Sequence, residues 1–414
     1  MRQYHLSFEW MADNMLKIIG CILFFFSVLH CEAPEFFQEP KPKNIPISPS
    51  SNIVFIATSD YQTGSYSTID IDSFTAYNDL GPGNIHSNVS VRYFFDKVYI
   101  INRLGRDNIQ VLEPTHNFQT LIEISMGANS NPADIALVNP ESAYVTRYNE
   151  KELWIINPTT GIKTGEIDLS DYAHSSTDGK PRMSRLYYHE ETERLFVQIQ
   201  RLKSDNRPSE YSSVIVIDTD PVSASYNSVI SEIRLEWADV HATNPYSDFR
   251  FVPGAWWQPD TADGNDHLFI SCVGFFGYWI ELDCGIVAID IQDLVCEQGY
   301  ILKETDANAE ISEFIIKSSD EAYATIRDAN FHSKLVKFNP QTGEITKTIR
   351  IDNNEHGFLW TLGYHSGSGM LFLCDRNALD PGVRIYDTNN NDLPMNSDSP
   401  VYVGLPPFEL MFIE

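Results

Sequence analysis

Pro132-Ala-Asp-Ile-Ala-Leu-Val138, Asn139-Pro-Glu-Ser142, Ala143-Tyr-Val-Thr-Arg147, Tyr148-Asn-Glu-Lys151, Leu153-Trp-Ile-Ile156, Asn157-Pro-Thr-Thr-Gly161 and Thr164 to Leu169 follow one another with only Glu152 and Ile162-Lys163 between them. The stretch alternates β-branched and aromatic runs of four to seven residues with turns rich in Asn, Pro and Gly, the pattern of four short antiparallel strands. Much of it returns almost two hundred residues later. Glu321-Ala-Tyr-Ala-Thr-Ile-Arg327 leads to Leu335-Val-Lys-Phe338, then Asn339-Pro-Gln-Thr-Gly343 turns into Glu344 to Ile351. Five further pairs of strands fit between and around these two: Ile53–Asp60 with Thr68–Asp70, Val98–Arg103 with Ile109–Leu112, Leu195–Arg201 with Val214–Asp218, His267–Val273 with Gly285–Asp290, and Leu371–Arg376 with Val383–Asp387. Seven units over residues 53 to 414 give a period of about 50 residues, which suits four-stranded blades arranged radially.

The two ends carry the topology. The first unit lacks an opening strand, because Ile53-Val-Phe-Ile56 already matches the second strand of the others. The chain finishes on Pro407-Phe-Glu-Leu-Met-Phe-Ile413, an opening strand with nothing after it. Pairing the last strand with the first closes a ring and protects sheet edges that would otherwise be exposed. The expected fold is therefore all-β, a seven-bladed β-propeller closed by its C-terminal strand. Ala143-Tyr-Val-Thr146, the Asn-Pro-x-Thr-Gly turn and the closing Gly-x-Ile strand resemble the YVTN-type β-propeller repeat family, with Arg147 where that motif carries Asn. The resemblance spans roughly residues 53 to 414. It implies seven blades and, often, export; it implies little about function.

Residues 1 to 52 read as an address. Ile18 to Leu29 is uncharged and apolar, too short to span a bilayer and suited to the core of a signal peptide. Val28-Leu-His-Cys31 resembles a bacterial lipoprotein signal, in which Cys31 becomes the lipidated first residue; a plain secreted protein is the alternative. Pro34, Pro40, Pro42, Pro46 and Pro49 would stiffen the following tether. The expected organisation is a signal peptide over 1–30, a tether over 31–52, and the propeller over 53–414, held at the cell envelope by its lipid.

The chain has 57 acidic and 29 basic residues, a formal charge of −28, which argues against bulk electrostatic binding of nucleic acid or of an anionic membrane surface. Against that background, arginine closes the second strand in five of the seven units: Arg103, Arg147, Arg201, Arg327 and Arg376. Loops after equivalent strands share one face of a propeller, so the five converge on one rim. Guanidinium groups suit carboxylate and phosphate. An anion-binding mouth is one reading; ion pairs with acids of the same or the next blade, such as Asp107, Asp134, Asp328 or Asp375, are the other.

Of six cysteines, Cys21 and Cys31 fall in the signal region; Cys284 and Cys296 flank a strand and could bridge, or remain small buried thiols like Cys272 and Cys374. Phe251, Trp256 and Trp257 with Phe275 to Trp279 suggest either a binding surface or a loop packing on itself. Asp260, Asp263, Asn265 and Asp266 match part of a calcium loop but lack its closing glutamate. The eleven histidines show no His-Glu-x-x-His spacing, and His365-Ser-Gly-Ser-Gly369 lacks the first glycine of a nucleophile elbow. No cofactor and no metal are expected. The reading that follows is a monomeric, non-enzymatic, lipid-anchored propeller binding an anionic small molecule or a protein at its arginine face. The alternative is a metal-assisted hydrolase or lactonase using channel acids, for which Asp60, Asn102 and Asp375 are the candidates.

Overall fold

The computed structural model describes residues 52–81, 85–257, 264–275, 280–352 and 358–413. The signal peptide, Cys31 and the proline-rich segment lie outside the described residues. So do Asp260 and Asp263 of the calcium-like loop and Phe276 to Trp279. No helix among the described residues is long and apolar enough to cross a membrane.

Among the described residues there are seven four-stranded antiparallel sheets and one two-stranded ribbon, Glu236–Trp237 with Val240–His241. Blade 1 is built from both ends of the chain: Pro407–Ile413 is its inner strand, followed outward by Ile53–Ser59, Gly64–Asp70 and Ala76–Tyr77. Ile53 pairs with Ile413, Val54 with Phe412 and Phe55 with Met411, so the ring closes as the chain ends require. Blades 2 to 7 begin with the inner strands Val89–Phe94, Pro132–Asn139, Met183–His189, Arg250–Val252, Glu310–Ile316 and Leu359–His365. These strands pack on one another around the axis, whereas the fourth strands, such as Ile162–Asp168, are largely exposed.

The core is not one mass. Seven separate apolar clusters lie among the described residues, one between each pair of neighbouring blades. Each sheet is apolar on both faces because each faces two neighbours, which explains the near-continuous apolar runs of its middle strands. Between blades 7 and 1, Phe372 and Ile385 meet Val54, Ile56 and Ile69, so the closing blade packs as well as the rest.

The repeat motif states its own purpose. In blade 3 the Tyr144 hydroxyl donates to Asn227 of blade 4, and Thr146 Oγ1 donates to the Ser184 carbonyl at 2.6 Å. In blade 6 the Tyr323 hydroxyl donates to Asp392 of blade 7 at 2.6 Å, and Thr325 Oγ1 to the Trp360 carbonyl at 3.1 Å. The tyrosine and threonine of the motif therefore tie each blade to the next. The Asn-Pro-x-Thr-Gly turns close on the asparagine: Asn157 Oδ1 accepts from the backbone N–H of Thr159 and Thr160, both at 3.0 Å. The turn ends in a left-handed residue, Gly161 at φ +73° and Gly343 at φ +70°, a conformation that favours glycine.

All four described cysteines are free thiols, so the bridge expected between Cys284 and Cys296 is not formed. Cys284 Sγ instead faces Thr243 inside the cluster between blades 4 and 5, and burial pushes both thiols up to about 12.

Candidate functional site in the axial cavity

Blade 5 departs from the pattern, and the departure shapes the axis. Its inner strand is only three residues, Arg250–Val252. The preceding segment runs irregularly along the next strand instead: the Tyr246 N–H donates to the Ser271 carbonyl at 2.8 Å, and Ser247 Oγ accepts from the Ser271 N–H at 2.9 Å. This carries Asp248 into the channel, where its Oδ1 accepts from Arg92 Nη2 of blade 2 at 2.8 Å and from Arg185 Nε of blade 4 at 3.0 Å. Arg92 also holds Asp134 at 2.8 Å and Glu409 at 3.1 Å. Arg250 Nη2 meets Glu313 Oε2 at 3.2 Å, and its Nε donates to the Phe314 carbonyl at 2.9 Å. A layer of three guanidinium groups and four carboxylates thus crosses the ring, supplied by blades 1 to 6.

Beside it opens a cavity of about 870 Å³ whose wall includes Arg92, Arg103, Arg185, Tyr246, Asp248 and Glu313. The environment pushes Asp248, Glu313 and Glu409 in different directions. Burial alone would raise Asp248, but Arg92, Arg185 and Arg250 outweigh it and hold that carboxyl well below the usual range. Burial dominates at Glu313 and raises it to about 7 against the opposing pull of Arg250. Burial also raises Glu409, opposed by Arg185 and Arg92. Two carboxylates in one layer with diverging proton affinities are the arrangement that separates a proton acceptor from a fixed charge.

The five arginines of the rim have five different surroundings, and among them only Arg103 stands in the wall of this cavity. Its Nε makes one long hydrogen bond to Asn131 Oδ1, 3.4 Å, and no carboxylate lies within ion-pair distance among the described residues. Burial, with Arg185 nearby, holds it below the ordinary arginine range. Arg147 lies over the Trp154 ring at 3.9 Å and donates to the Met126 carbonyl at 3.0 Å. Arg201 pairs with Glu210 at 3.1 Å and covers Tyr211; Arg327 pairs with Glu310 at 2.7 Å. Arg376 donates to the carbonyls of Pro407 and Ser59, both at 2.9 Å, and so rivets the ring closure. Four of the five are held by a neighbouring blade or by their own, because a guanidinium at the end of a second strand reaches the adjoining loops before it reaches the axis.

The three residues considered for a channel metal are not brought together. Asp60 is exposed and caps its own turn through the N–H groups of Gln62 and Thr63. Asn102 donates to Asn108 and Gln110. Asp375 accepts from Arg384. Nor does the axial layer fit a cation, since Arg92 already occupies the space between Asp134, Asp248 and Glu409, and Arg185 also holds Asp248. Where it is described, the aromatic segment packs on neighbouring strands: Phe251 stacks on Tyr187 of blade 4, and Trp257 meets Phe269 of blade 5 edge-on at 5.2 Å.

Sequence reasoning missed Arg92, Arg185, Asp248, Arg250, Glu313 and Glu409. A signal was present: Arg92, Asp134, Arg185, Glu313 and Glu409 each stand third or fourth in an inner strand, a charge inside a run that is otherwise mostly uncharged.

These features define a class, a closed seven-bladed propeller with a charged axial cavity. No family model matches the sequence, and neither does any curated protein sequence. Solved structures share the fold. A candidate 6-phosphogluconolactonase of Bacteroides uniformis aligns over 87% of this chain and 99% of its own at 12% identity, with a TM-score of 0.58. A second candidate 6-phosphogluconolactonase, from Bacteroides fragilis, aligns over 89% and 100% at 10% identity and 0.57. The periplasmic gluconolactonase of Pseudomonas aeruginosa aligns over 88% and 99% at 12% identity and 0.57. The expectation of a non-enzymatic binding module is corrected by these neighbours: solved propellers of this architecture include proteins described as lactonases.

Proposed function

We propose that the axial cavity hydrolyses a lactone bearing an anionic substituent, of the sugar-acid type. The observation that carries this reading is the pairing, in one cavity wall, of an arginine without a counter-charge and a glutamate poised near neutrality. Arg103 seats the carboxylate or phosphate of the substrate. The Glu313 carboxylate takes a proton from water, and the resulting hydroxide adds to the lactone carbonyl carbon. Arg185 faces the developing oxyanion. The ring C–O bond then breaks, and the proton on Glu313 passes to the departing oxygen, which becomes the free hydroxyl of the open acid. The neighbours named as gluconolactonases support the class of reaction; the choice of an anionic substrate rests on Arg103.

The test is turnover of a panel of sugar-acid lactones, with and without a phosphate, by the purified chain and by Glu313→Gln. The reading expects saturable hydrolysis by the wild type and a loss of about 100-fold or more in kcat for the variant, the scale of a general base. Hydrolysis no faster than in buffer, or a variant equal to the wild type, would reject it.

The address belongs to the same proposal: export, with an acyl chain at Cys31 holding the propeller at the envelope. Incorporation of an acyl-chain probe into wild type but not Cys31→Ala is the expected result.

A further inference from the structure

Blade 5 carries a second group of chemically capable side chains, at the opposite end of the ring from the arginines. His267 opens the strand His267–Cys272 and stands across from Asp290, the last residue of Gly285–Asp290. Glu297 lies on the connection to the outer strand, where its backbone N–H donates to the Ala288 carbonyl at 2.9 Å. One ligand atom from each of the three lies within 4.8 Å of the others.

His267 is the unusual member. Its side chain is 0% exposed, yet neither ring nitrogen has a hydrogen-bond partner. Buried polar atoms are nearly always satisfied, so an imidazole with both nitrogens unmatched calls for a missing ligand. Its Nε2 faces Glu297 Oε1 at 3.6 Å, too far for a hydrogen bond. Two donors that each bind one ion at about 2.1 Å with tetrahedral angles stand about 3.4 Å apart, so this separation suits a shared metal.

The surroundings orient the other donors. Asp290 Oδ1 accepts the N–H groups of Gln292 and Asp293 at 2.7 and 2.6 Å, and Oδ2 accepts from Asn265 at 2.8 Å. The Trp257 ring meets His267 edge-on with centroids 4.8 Å apart and restricts its rotation. Such outer contacts are what fix the orientation of metal ligands.

We propose that His267, Asp290 and Glu297 bind one divalent transition ion. Zinc matches the donor set of one imidazole and two carboxylates best, with water completing the tetrahedron. Two carboxylates and a neutral imidazole balance the charge of the ion. The ion would clip the second strand, the third strand and the following connection of the blade whose inner strand is shortest. This is independent of the lactone reading, and no catalytic step passes through it.

The experiment uses the full chain, dialysed against EDTA and then freed of chelator. Zinc chloride is titrated by calorimetry, and cobalt is substituted for its absorption spectrum. One equivalent of zinc, bound with submicromolar affinity, is expected, together with cobalt bands of a four- or five-coordinate site. Glu297→Gln, near the surface and expected to fold, should weaken zinc at least tenfold; His267→Gln should abolish binding. Because the buried histidine variant could fail to fold, Glu297→Gln decides alone. No saturable binding, or zinc held equally by wild type and Glu297→Gln, would overturn the proposal. Equal binding would place the ion elsewhere, for instance on His189, Glu191 and Asp266.

Discussion

Arg103 and Arg376 both follow the last residue of a second strand, and they do opposite work. Arg376 spends its donors on backbone carbonyls of blade 1, whereas Arg103 faces the cavity with one long hydrogen bond. Truncating each should separate the roles. Arg376→Ala strips two buried carbonyls of charged donors, and should lower unfolding stability by about 3 kcal/mol in a urea titration. Arg103→Ala removes a desolvated, unmatched charge, so it should leave stability unchanged or raise it. Its KM for an anionic lactone should rise about 10- to 100-fold, as expected for 1.4–3 kcal/mol of lost charge-assisted binding. In the sequence the five arginines look alike, because their position after a strand sets the face but not the neighbours each side chain will meet. The axial charges were missed although they left a mark. Arg92 and Glu313 interrupt inner strands at matching places, and aligning the first strands rather than the second would have exposed them.

At the scale of the element, the blade is a unit that cannot stand alone, and its repeat motif records this. Tyr323 and Thr325 both donate to blade 7, and Tyr144 and Thr146 both to blade 4. Tyr323→Phe should therefore cost about 1–2 kcal/mol, by leaving the buried Asp392 one donor short, and denaturant titration checks it. The strands themselves were readable, since middle strands that face neighbours on both sides must be apolar and β-branched. Blade 5 was least readable. Its inner strand is cut short by a segment whose purpose is to carry Asp248 to Arg92 across the axis, a contact between residues 156 positions apart that local pattern cannot foresee. The bridge between Cys284 and Cys296 fails because the two sit in one cluster but at opposite ends of Gly285–Asp290, Cys284 just before it against Thr243 and Cys296 paired with Ile289.

For the whole molecule, closure and chemistry are one problem, because Pro407–Ile413 supplies both the inner strand of blade 1 and Glu409 of the axial layer. Deleting residues 407–414 would leave Ile53–Ser59 as a bare, largely apolar edge, and edges of that kind pair with other chains. Size-exclusion chromatography should show aggregates in place of a single compact species. The central claim is that Glu313, raised by burial to about 7, acts as the base in the axial cavity. A base works in its ionised form, so activity should be low in acid and climb as the pH passes through that value. The measurement is kcat/KM against pH for wild type and Glu313→Gln on one anionic lactone. The account predicts a rising limb with its midpoint near 7 in the wild type, and a low, flat profile in the variant. The same limb in both proteins would contradict it.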